Sequence, residues 1–366
     1  MIDLFGLGNI KEELTQVPKF FQSNDTLGGV NNRHIPYLEG KFQKMTDRPA
    51  MAVNSCTNGI YLALKKLELN EDPVLIPPIL FFGVAGAVMK AGGIPVLSAT
   101  NAEGLMTTRS IEQALDRKFN GKKIKAVVPA HINGRYVELE SFQNQVDIIE
   151  DTAPAFGVLK KNGKCLVSDS QNISIISFSF AKPLTAGEGG MIFSDLETAE
   201  WIRSHRYCGL DKMQGRYGIG TFEVTEPDLK FPFNALAAVL ITLKLKSFEE
   251  NLAKRKEIAS YFQDKIGRSN AVEFYKNGNH LTYMIKTKNR EKLEKQLQQN
   301  EIGCYYNHKP VYRFEAFNRL NFVDQGDQAA CETYFSEVIH IPCREDLSDL
   351  EVEKIGKVVS EAMDNI

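Results

Sequence analysis

From about residue 50 onward, short runs of apolar residues alternate with longer segments whose apolar positions recur every three or four residues. The short runs predict buried strands, and the longer segments predict helices. Strands and helices in this alternation are typical of an α/β fold with a mixed, mostly parallel sheet flanked by helices. The predicted strands are AMAVN (50–54), PVLIPPI (73–79), IPVL (94–97), IKAVVPAHI (124–132), VDIIED (146–151), ISIISFSF (173–180) and MIFSD (191–195).

The pattern changes after residues 235–266, a segment with helical periodicity that is long enough to join two domains. Beyond it, strands and helices are fewer and indicate a smaller α+β domain, whose last helix begins with Ser348 and Glu351 at capping-box spacing. We therefore predict a large domain over residues 1–245 and a small C-terminal domain over 246–366. The strands predicted there are LTYMIKT (281–287), GCYYN (303–307) and VIHIP (338–342).

Composition and charge exclude several classes of protein. Of 366 residues, 43% are hydrophobic and 25% charged, and the net charge of −2 gives no reason to expect nucleic acid or an anionic membrane as partner. Prolines and glycines interrupt the longest apolar stretches, and the first residues lack the pattern of a signal peptide. The six cysteines form no CxxC pair, so we expect a cytoplasmic protein without disulfides or an obligatory metal.

The stretch SFSFAKPLTAGEGG (177–190) places Lys182 between a buried strand and a glycine cluster. A lysine is costly to bury unless it is paired or loses its charge. Either Lys182 leaves the strand toward solvent, or it is a functional amine at the edge of the sheet. Ligands of parallel sheets bind beyond the carboxyl ends of the strands, where His131 and Asp151 also fall.

Two further features of the sequence support a functional role for Lys182. NSCTNG (54–59) joins a strand to a helix and offers an anion site at a helix N-terminus, although simple N-capping is the favoured interpretation of this segment taken alone. Asp151 ends an apolar strand, where a carboxylate needs a cation or N–H donors, and capping of the next turn is the alternative. An anion site, a strand-end carboxylate and a strand-end lysine together meet the requirements of pyridoxal 5′-phosphate (PLP), but spacing alone does not establish it.

The same motifs resemble those of the DegT/DnrJ/EryC1/StrS family of fold-type-I sugar aminotransferases. The similarity runs in order through nearly the whole chain, and SFSFAKPLTAGEGGMIFSD (177–195) is its most specific part. The other segments that resemble the family are NSCTNGIYLAL, IPPILFFGVAGAVMKAGGIPV, VVPAHINGR, IIEDTAPAFG, YYNHKPVYRFEAF and VIHIPCREDLSDLEVEKI.

The resemblance implies a role for each matching residue. Lys182 corresponds to the lysine that attaches PLP covalently and catalyses the reaction, and Asp151 to the partner of the pyridine nitrogen. Phe81 matches an aromatic that stacks on the cofactor ring, with a core phenylalanine as the alternative. Phosphate contacts are implied for Thr57, Asn58 and Ser177, and for Lys230 across a subunit interface.

Two departures affect the cofactor side of the implied site. Pro154 replaces the histidine or glutamine that contacts the cofactor hydroxyl in the family, and Asn133 is our candidate for supplying that contact. Cys56 stands where the phosphate turn usually has glycine. A small thiol is expected to be tolerated there.

Two more departures affect the substrate side. Pro232 replaces an arginine, which removes a bidentate donor for phosphate or carboxylate, and Tyr312 replaces a histidine. We expect Tyr312 to use its hydroxyl on the sugar, with packing against FEAF (314–317) as the alternative. His308, in the same loop, is a further candidate substrate contact.

The implied function is a PLP-dependent aminotransferase that moves an amino group from an amino acid, with L-glutamate favoured, to a nucleotide-linked keto sugar. The implied assembly is a homodimer with shared active sites. A dehydratase of the same family is the first alternative, but such members carry histidine in place of Lys182. A non-catalytic regulator that binds PLP or a sugar is the second, and the retention of Lys182, Asp151 and Ser177 argues against it.

Overall fold

The computed structural model describes residues 1–6, 10–22, 25–27, 32–210, 223–224, 226–266, 278–306, 308–324 and 326–364. Within these residues, helices surround two β-sheets. No helix of the described ranges is long and apolar enough to cross a membrane. The helices are α1 (Ile10–Gln16), α2 (His34–Thr46), α3 (Cys56–Lys65), α4 (Gly83–Lys90), α5 (Thr108–Asp116), α6 (Leu196–His205), α7 (Ala235–Lys244), α8 (Phe248–Ile266), α9 (Arg290–Gln299), α10 (Asp327–Glu337) and α11 (Asp349–Asp364).

The main sheet has eight strands and is parallel apart from one strand, β7, which runs antiparallel to both of its neighbours. Its spatial order is β1-β7-β6-β5-β4-β2-β3-β9, which confirms the predicted mixed, mostly parallel α/β fold. The strands of this sheet are β1 (Ala50–Val53), β2 (Pro73–Ile76), β3 (Ile94–Leu97), β4 (Ala126–Val127), β5 (Asp147–Asp151), β6 (Ile173–Ser177), β7 (Gly190–Phe193) and β9 (Asn321–Phe322).

Both faces of this sheet are covered, which explains why its strands read as continuous apolar runs. In β1, Ala50 and Ala52 belong to one apolar cluster, whereas Met51 and Val53 belong to another. Because successive side chains of a strand point to opposite faces, these two clusters lie on the two sides of the sheet. A strand buried in this way has no room for polar side chains except at its ends.

The helical segment predicted over residues 235–266 is two helices, α7 and α8, rather than one. The chain turns between them, where the N–H of Ser247 bonds to the carbonyl of Lys244 and the N–H of Asn251 bonds to the carbonyl of Ser247. No proline or glycine marks this break, and helical periodicity continues through it. The local signal that does exist is Ser247 followed by Glu250 at capping-box spacing, which the prediction of one continuous segment did not use.

A second, two-stranded sheet lies in the C-terminal part, formed by β8 (Tyr283–Lys286) and β10 (Val338–Ile341). It has its own apolar core with α8, α9 and α11, and the capping box predicted for the last helix is present, since Glu351 Oε2 accepts the N–H of Ser348 at 2.8 Å. Residues 303–307 were predicted as a strand, but their described part makes only an isolated bridge, Tyr305 with His340.

The chain passes between the two cores more than once. Strand β9 pairs with β3 of the main sheet although it lies within residues 246–366, and Ile2 packs in the C-terminal core. The boundary at residue 245 remains a prediction, because the two cores draw on segments from both of its sides. These crossings fix the C-terminal core against the strand ends of the main sheet.

Candidate active site

A cavity of about 480 Å³ opens at the carboxyl ends of β1, β5 and β6. Strand ends of this kind are the usual ligand position in parallel sheets. The cavity brings together residues that are up to 335 positions apart in the chain, from Phe5 to His340. Of the residues singled out in the sequence, Thr57, Phe81, Asp151, Ser177, Lys182 and His308 line it.

Lys182 is held in the loop between β6 and β7. Its backbone N–H bonds to the carbonyl of Ser179 at 3.0 Å, and the Thr185 hydroxyl closes the loop by bonding to the carbonyl of Phe178 at 3.1 Å. The side chain is partly buried and lines the cavity, so it does not simply project into solvent. Burial lowers the pKa of Lys182, although the charge of Asp151 acts in the opposite direction.

Asp151, at the end of β5, is 5% exposed. Its Oδ1 accepts the N–H of Ala153 at 3.0 Å and lies 3.9 Å from the Cys56 thiol. Burial raises the pKa of Asp151, while the Ala153 N–H and the Lys182 ammonium act against this rise. The carboxylate and the lysine therefore stabilise each other's charged forms in an otherwise desolvated place.

The N-terminus of α3 supplies one side of the cavity. Ser55 caps the helix by accepting the N–H of Asn58 at 3.1 Å, and the Asn58 side chain donates to Asn54 at 2.8 Å. Asn58 supports the turn in this way and is not among the cavity residues, whereas Thr57 is. Ser177, at the end of β6, adds a hydroxyl that accepts the N–H of Ser179 at 3.2 Å.

Gly190 allows α3 to approach the sheet closely. A Cβ at this position would lie 2.8 Å from the backbone nitrogen of Cys56 and 2.9 Å from the carbonyl oxygen of Ile176. Both are backbone atoms, so the clash could not be relieved by a side-chain rotation. The last glycine of the GEGG motif thus sets the distance between the helix N-terminus and the strand ends.

A buried polar network, which sequence reasoning did not identify, fixes the strand that carries Asp151. Glu150 points to the opposite face of β5 and accepts hydrogen bonds from His131 Nε2 at 2.8 Å and from Asn172 Nδ2 at 2.9 Å. His131 Nδ1 accepts the N–H of Val137, so the ring proton resides on Nε2. Burial opposes the charge of Glu150, but these donors outweigh it and lower its pKa. His131 therefore supports the site from behind rather than lining the cavity.

Aromatic rings form the apolar part of the cavity. Phe81 is 44% exposed, which rules out the alternative of a core phenylalanine. Its ring contacts Phe82, with 4.5 Å between centroids, and lies edge-on to His308 at 6.2 Å. Phe82 in turn contacts Phe314 at 5.5 Å. Such surfaces suit a flat π-system or the C–H faces of a sugar ring.

The C-terminal core contributes a wall that the sequence did not suggest. Thr282, which directly precedes β8, lines the cavity together with Tyr305 and His340. A signal for His340 did exist, because it is the one polar residue inside the apolar run VIHIP (338–342). That signal does not place His340 in a cavity wall, because only the tertiary structure forms the cavity.

Tyr312, a predicted substrate contact, lies in another part of the fold. The Tyr312 hydroxyl donates to Glu332 at 2.6 Å, and its ring packs against Phe322, with 5.2 Å between centroids. Tyr312 lies outside the cavity lining, so the predicted sugar contact is not part of the function proposed below. The alternative was packing against residues 314–317, whereas the ring contact found is with Phe322.

Asn133 and Lys230 were predicted to contact the cofactor, and in this chain their side chains have other surroundings. Asn133 lines the cavity, but its side-chain nitrogen donates to the carbonyl of Glu103 at 2.8 Å and to the Tyr334 hydroxyl at 2.7 Å. Lys230 is exposed, lies outside the cavity lining and forms a backbone bridge with Tyr207. In this single chain, neither side chain offers its nitrogen to the cavity.

The groups around the cavity fit PLP. Its phosphate needs N–H and hydroxyl donors, which the start of α3, Thr57 and Ser177 supply. Its protonated pyridine nitrogen needs a desolvated carboxylate, which Asp151 supplies, and its aldehyde needs an amine, which Lys182 supplies. We assign the cavity to PLP because these residues offer the donors, the carboxylate and the amine that PLP requires.

A mostly parallel eight-stranded sheet with a cavity at its strand ends is the fold of the solved fold-type-I aminotransferases that this chain resembles. The chain belongs to the DegT/DnrJ/EryC1/StrS aminotransferase family, whose model matches residues 9–360. The resemblance inferred from the motifs is thereby confirmed. Aminotransferases of this family depend on PLP.

Individual relatives agree with this assignment. The chain is 24% identical over 331 residues to the UDP-4-amino-4,6-dideoxy-N-acetyl-beta-L-altrosamine transaminase of Campylobacter jejuni, with 85% of each chain covered. A DegT/DnrJ/EryC1/StrS aminotransferase from Brucella abortus has the same fold, with a TM-score of 0.87 at 21% identity over 99% of both chains. PseC of Helicobacter pylori, an aminotransferase involved in the biosynthesis of pseudoaminic acid, gives a TM-score of 0.85 at 20% identity, covering 100% of this chain and 100% of PseC.

The close approach at Gly190 leads to a first prediction. Gly190→Ala should lower the free energy of unfolding by about 1–3 kcal/mol, because the added methyl group displaces α3, and it should weaken PLP binding in absorbance titrations. Gly86→Ala is the matched control, since no atom lies within 4 Å of a Cβ there and alanine favours the helix. Equal PLP affinity in the two variants would contradict the role given to Gly190.

Proposed function

We propose that this protein is a PLP-dependent aminotransferase that transfers an amino group from an amino acid, L-glutamate, to a nucleotide-linked keto sugar. The observation that carries the proposal is the joint placement of Lys182, Asp151 and the N-terminus of α3 in one cavity. Membership of a sugar aminotransferase family supports the reaction type. We propose a cytoplasmic location on the sequence pattern alone.

Lys182 and Asp151 have different roles in the proposed reaction. Bound PLP supplies the electron sink that makes the Cα–H of the amino acid acidic. Lys182 Nζ accepts this proton and, in the second half-reaction, returns a proton to the carbon that carried the keto group. The lowered pKa of Lys182 favours the neutral amine that a base requires. Asp151 is the carboxylate that keeps the pyridine nitrogen protonated.

The sugar substrate is proposed from relatives and from the cavity. The Campylobacter relative is named as a transaminase of a UDP-linked amino-dideoxy sugar. The cavity offers exposed rings of Phe81 and Phe82 beside polar groups, a combination that suits a sugar. Pro232, in place of arginine, leaves this chain without one cationic contact that the family commonly uses.

We further propose a homodimer in which Lys230 reaches the phosphate site of the partner subunit. Lys230 is exposed, and the next residue, Phe231, accepts the N–H of Asn54 at 3.0 Å, which ties this segment to the phosphate turn. A cation there is available to a neighbouring subunit. The phosphate of PLP carries the charge that would attract it.

A second prediction tests the chemistry. Lys182→Ala should still bind PLP through its phosphate contacts but should lower transamination from L-glutamate by about 10³-fold or more, because both the attachment and the proton transfer are lost. Stopped-flow absorbance of the cofactor measures the half-reaction. The exposed Lys164, changed to alanine, is the control and should behave as wild type. Transamination at the wild-type rate in Lys182→Ala would disprove the mechanism.

A third prediction tests the substrate by running the reaction in reverse. A panel of UDP-linked and dTDP-linked amino sugars is added to the PLP-loaded enzyme, and the cofactor absorbance is followed. We expect at least one nucleotide-linked amino sugar to change the spectrum. If free amino acids do so and every nucleotide-linked sugar fails to bind, the sugar assignment is wrong and the PLP assignment survives.

A fourth prediction concerns assembly. Light scattering should show a dimer at micromolar protein, and Lys230→Ala should weaken PLP binding about tenfold, because a charge-assisted hydrogen bond to phosphate is lost. Lys246, another exposed lysine, gives the control variant Lys246→Ala, whose PLP affinity should not change. A monomer would contradict the assembly, and a dimer with unchanged PLP affinity in Lys230→Ala would remove only the role of Lys230.

A further inference from the structure

Two segments that are far apart in the chain meet in one wall of the cavity. The N–H of Val311 bonds to the carbonyl of Pro78 at 2.9 Å, and the ring of Phe314 contacts the ring of Phe82, with 5.5 Å between centroids. The backbone of Phe82 is fixed as well, because its carbonyl accepts the N–H of Gly86 in the first turn of α4 at 3.2 Å. Backbone and side-chain contacts therefore hold this wall together.

The wall carries an exposed aromatic surface. Phe82 is 47% exposed although its side chain is large and apolar, and both Phe82 and Phe314 line the cavity. Exposed apolar surface in a cavity is typical of a ligand site. The face of an aromatic ring suits another flat ring, and any nucleobase can stack on it.

Lys309 adds a positive charge beside these rings. Its Nζ lies 4.6 Å from the centroid of the Phe314 ring, and its side chain is exposed and lines the cavity. The nearby cation Arg313 is paired with Glu332, whereas Lys309 forms no ion pair within the described residues. Apart from Lys182, Lys309 is the only lysine or arginine among the described residues that line the cavity.

The position of Lys182 determines which part of a substrate reaches this wall. Burial and the charge of Lys182 lower the pKa of His308 to about 4, so His308 lies close to the reacting amine. Phe81 contacts His308 on one side and Phe82 on the other. Because the keto carbon must lie at Lys182, a group that reaches Phe82 belongs to a more distant part of the substrate.

A nucleoside diphosphate has the two features that this wall can recognise. Its base is a flat π-system, and its diphosphate is an anion that a lysine ammonium binds. An amino acid such as L-glutamate offers only carboxylates to Lys309 and no flat ring to Phe82. The aromatic surface and the cation together therefore favour the nucleotide.

We propose that Phe82 and Phe314 hold the base of a nucleoside diphosphate and that Lys309 binds its diphosphate, so that this wall recognises the nucleotide part of the sugar substrate. The inference rests on the proposed function, which brings a nucleotide-linked sugar to the cavity. It assigns these three residues a role in binding and none in the proton transfer.

Free nucleotides test this wall without turnover. UDP, UMP and uridine are titrated into the PLP-loaded enzyme by calorimetry, and dTDP, dTMP and thymidine form a second series. Lys309→Met, which keeps the apolar chain but removes the charge, should weaken diphosphate binding about tenfold and leave nucleoside binding unchanged. Phe82→Ala should weaken all members of a series by one common factor of about tenfold, because each contains the base.

A second cation–aromatic pair in the chain supplies the matched controls. Lys41 Nζ lies 5.0 Å from the ring centroid of Tyr37 on α2, and Tyr37 is 55% exposed. Neither residue is among those that line the cavity in the described chain. Lys41→Met and Tyr37→Ala should therefore bind every nucleotide as wild type does.

Three results would overturn this inference and leave the proposed function standing. The first is wild-type diphosphate affinity in Lys309→Met or in Phe82→Ala. The second is a higher KM for L-glutamate in Lys309→Met with unchanged nucleotide affinity, which would make Lys309 a carboxylate contact. The third is a lower melting temperature of Phe82→Ala with equally weakened L-glutamate and nucleotide binding, which would show a structural role.

The wild-type enzyme separates failure of this inference from failure of the proposed function. If it binds a nucleotide-linked amino sugar but no free nucleoside diphosphate, only the inference is wrong. If it binds neither a free nucleotide nor any nucleotide-linked amino sugar, the sugar assignment fails and the inference fails with it.

Discussion

The site depends on the electrostatic interaction between Asp151, which is buried at the end of β5, and Lys182, which is partly buried in the cavity wall. Burial raises the pKa of Asp151 and lowers that of Lys182, and each charge opposes the shift of the other. Each charge reduces the cost of desolvating the other, since an unpaired buried charge is strongly destabilising. The two residues lie at the strand ends, where the cavity opens, whereas most positions within the strands are apolar.

The surrounding structure keeps this pair in place from two sides. On the far face of β5, Glu150 and His131 fix the strand through hydrogen bonds that are fully buried. On the near side, Gly190 leaves the space that the first turn of α3 occupies. A helix N-terminus, the Ser177 hydroxyl and a buried carboxylate are thereby placed in one cavity by strand geometry.

The two cores divide the cavity by chemistry as well as by origin. The main sheet supplies the charged pair and the anion-binding turn, whereas the C-terminal core supplies Thr282 and His340, which are neutral. An enzyme that alternates between an amino acid and a sugar must bind two unlike partners in one place.

The sequence by itself determined the fold class and most of the strands and helices, and it singled out Lys182, Asp151 and Ser177, which the fold brings into one cavity, because periodicity and a specific lysine motif are local properties of the chain. It did not reveal the turn between α7 and α8, the pairing of β9 with β3, or the surroundings of Tyr312 and Asn133. Nor did it identify His340 as part of the cavity. These features arise from contacts between residues far apart in the chain, because packing rather than local propensity decides which side chains meet and which polar atoms find a partner.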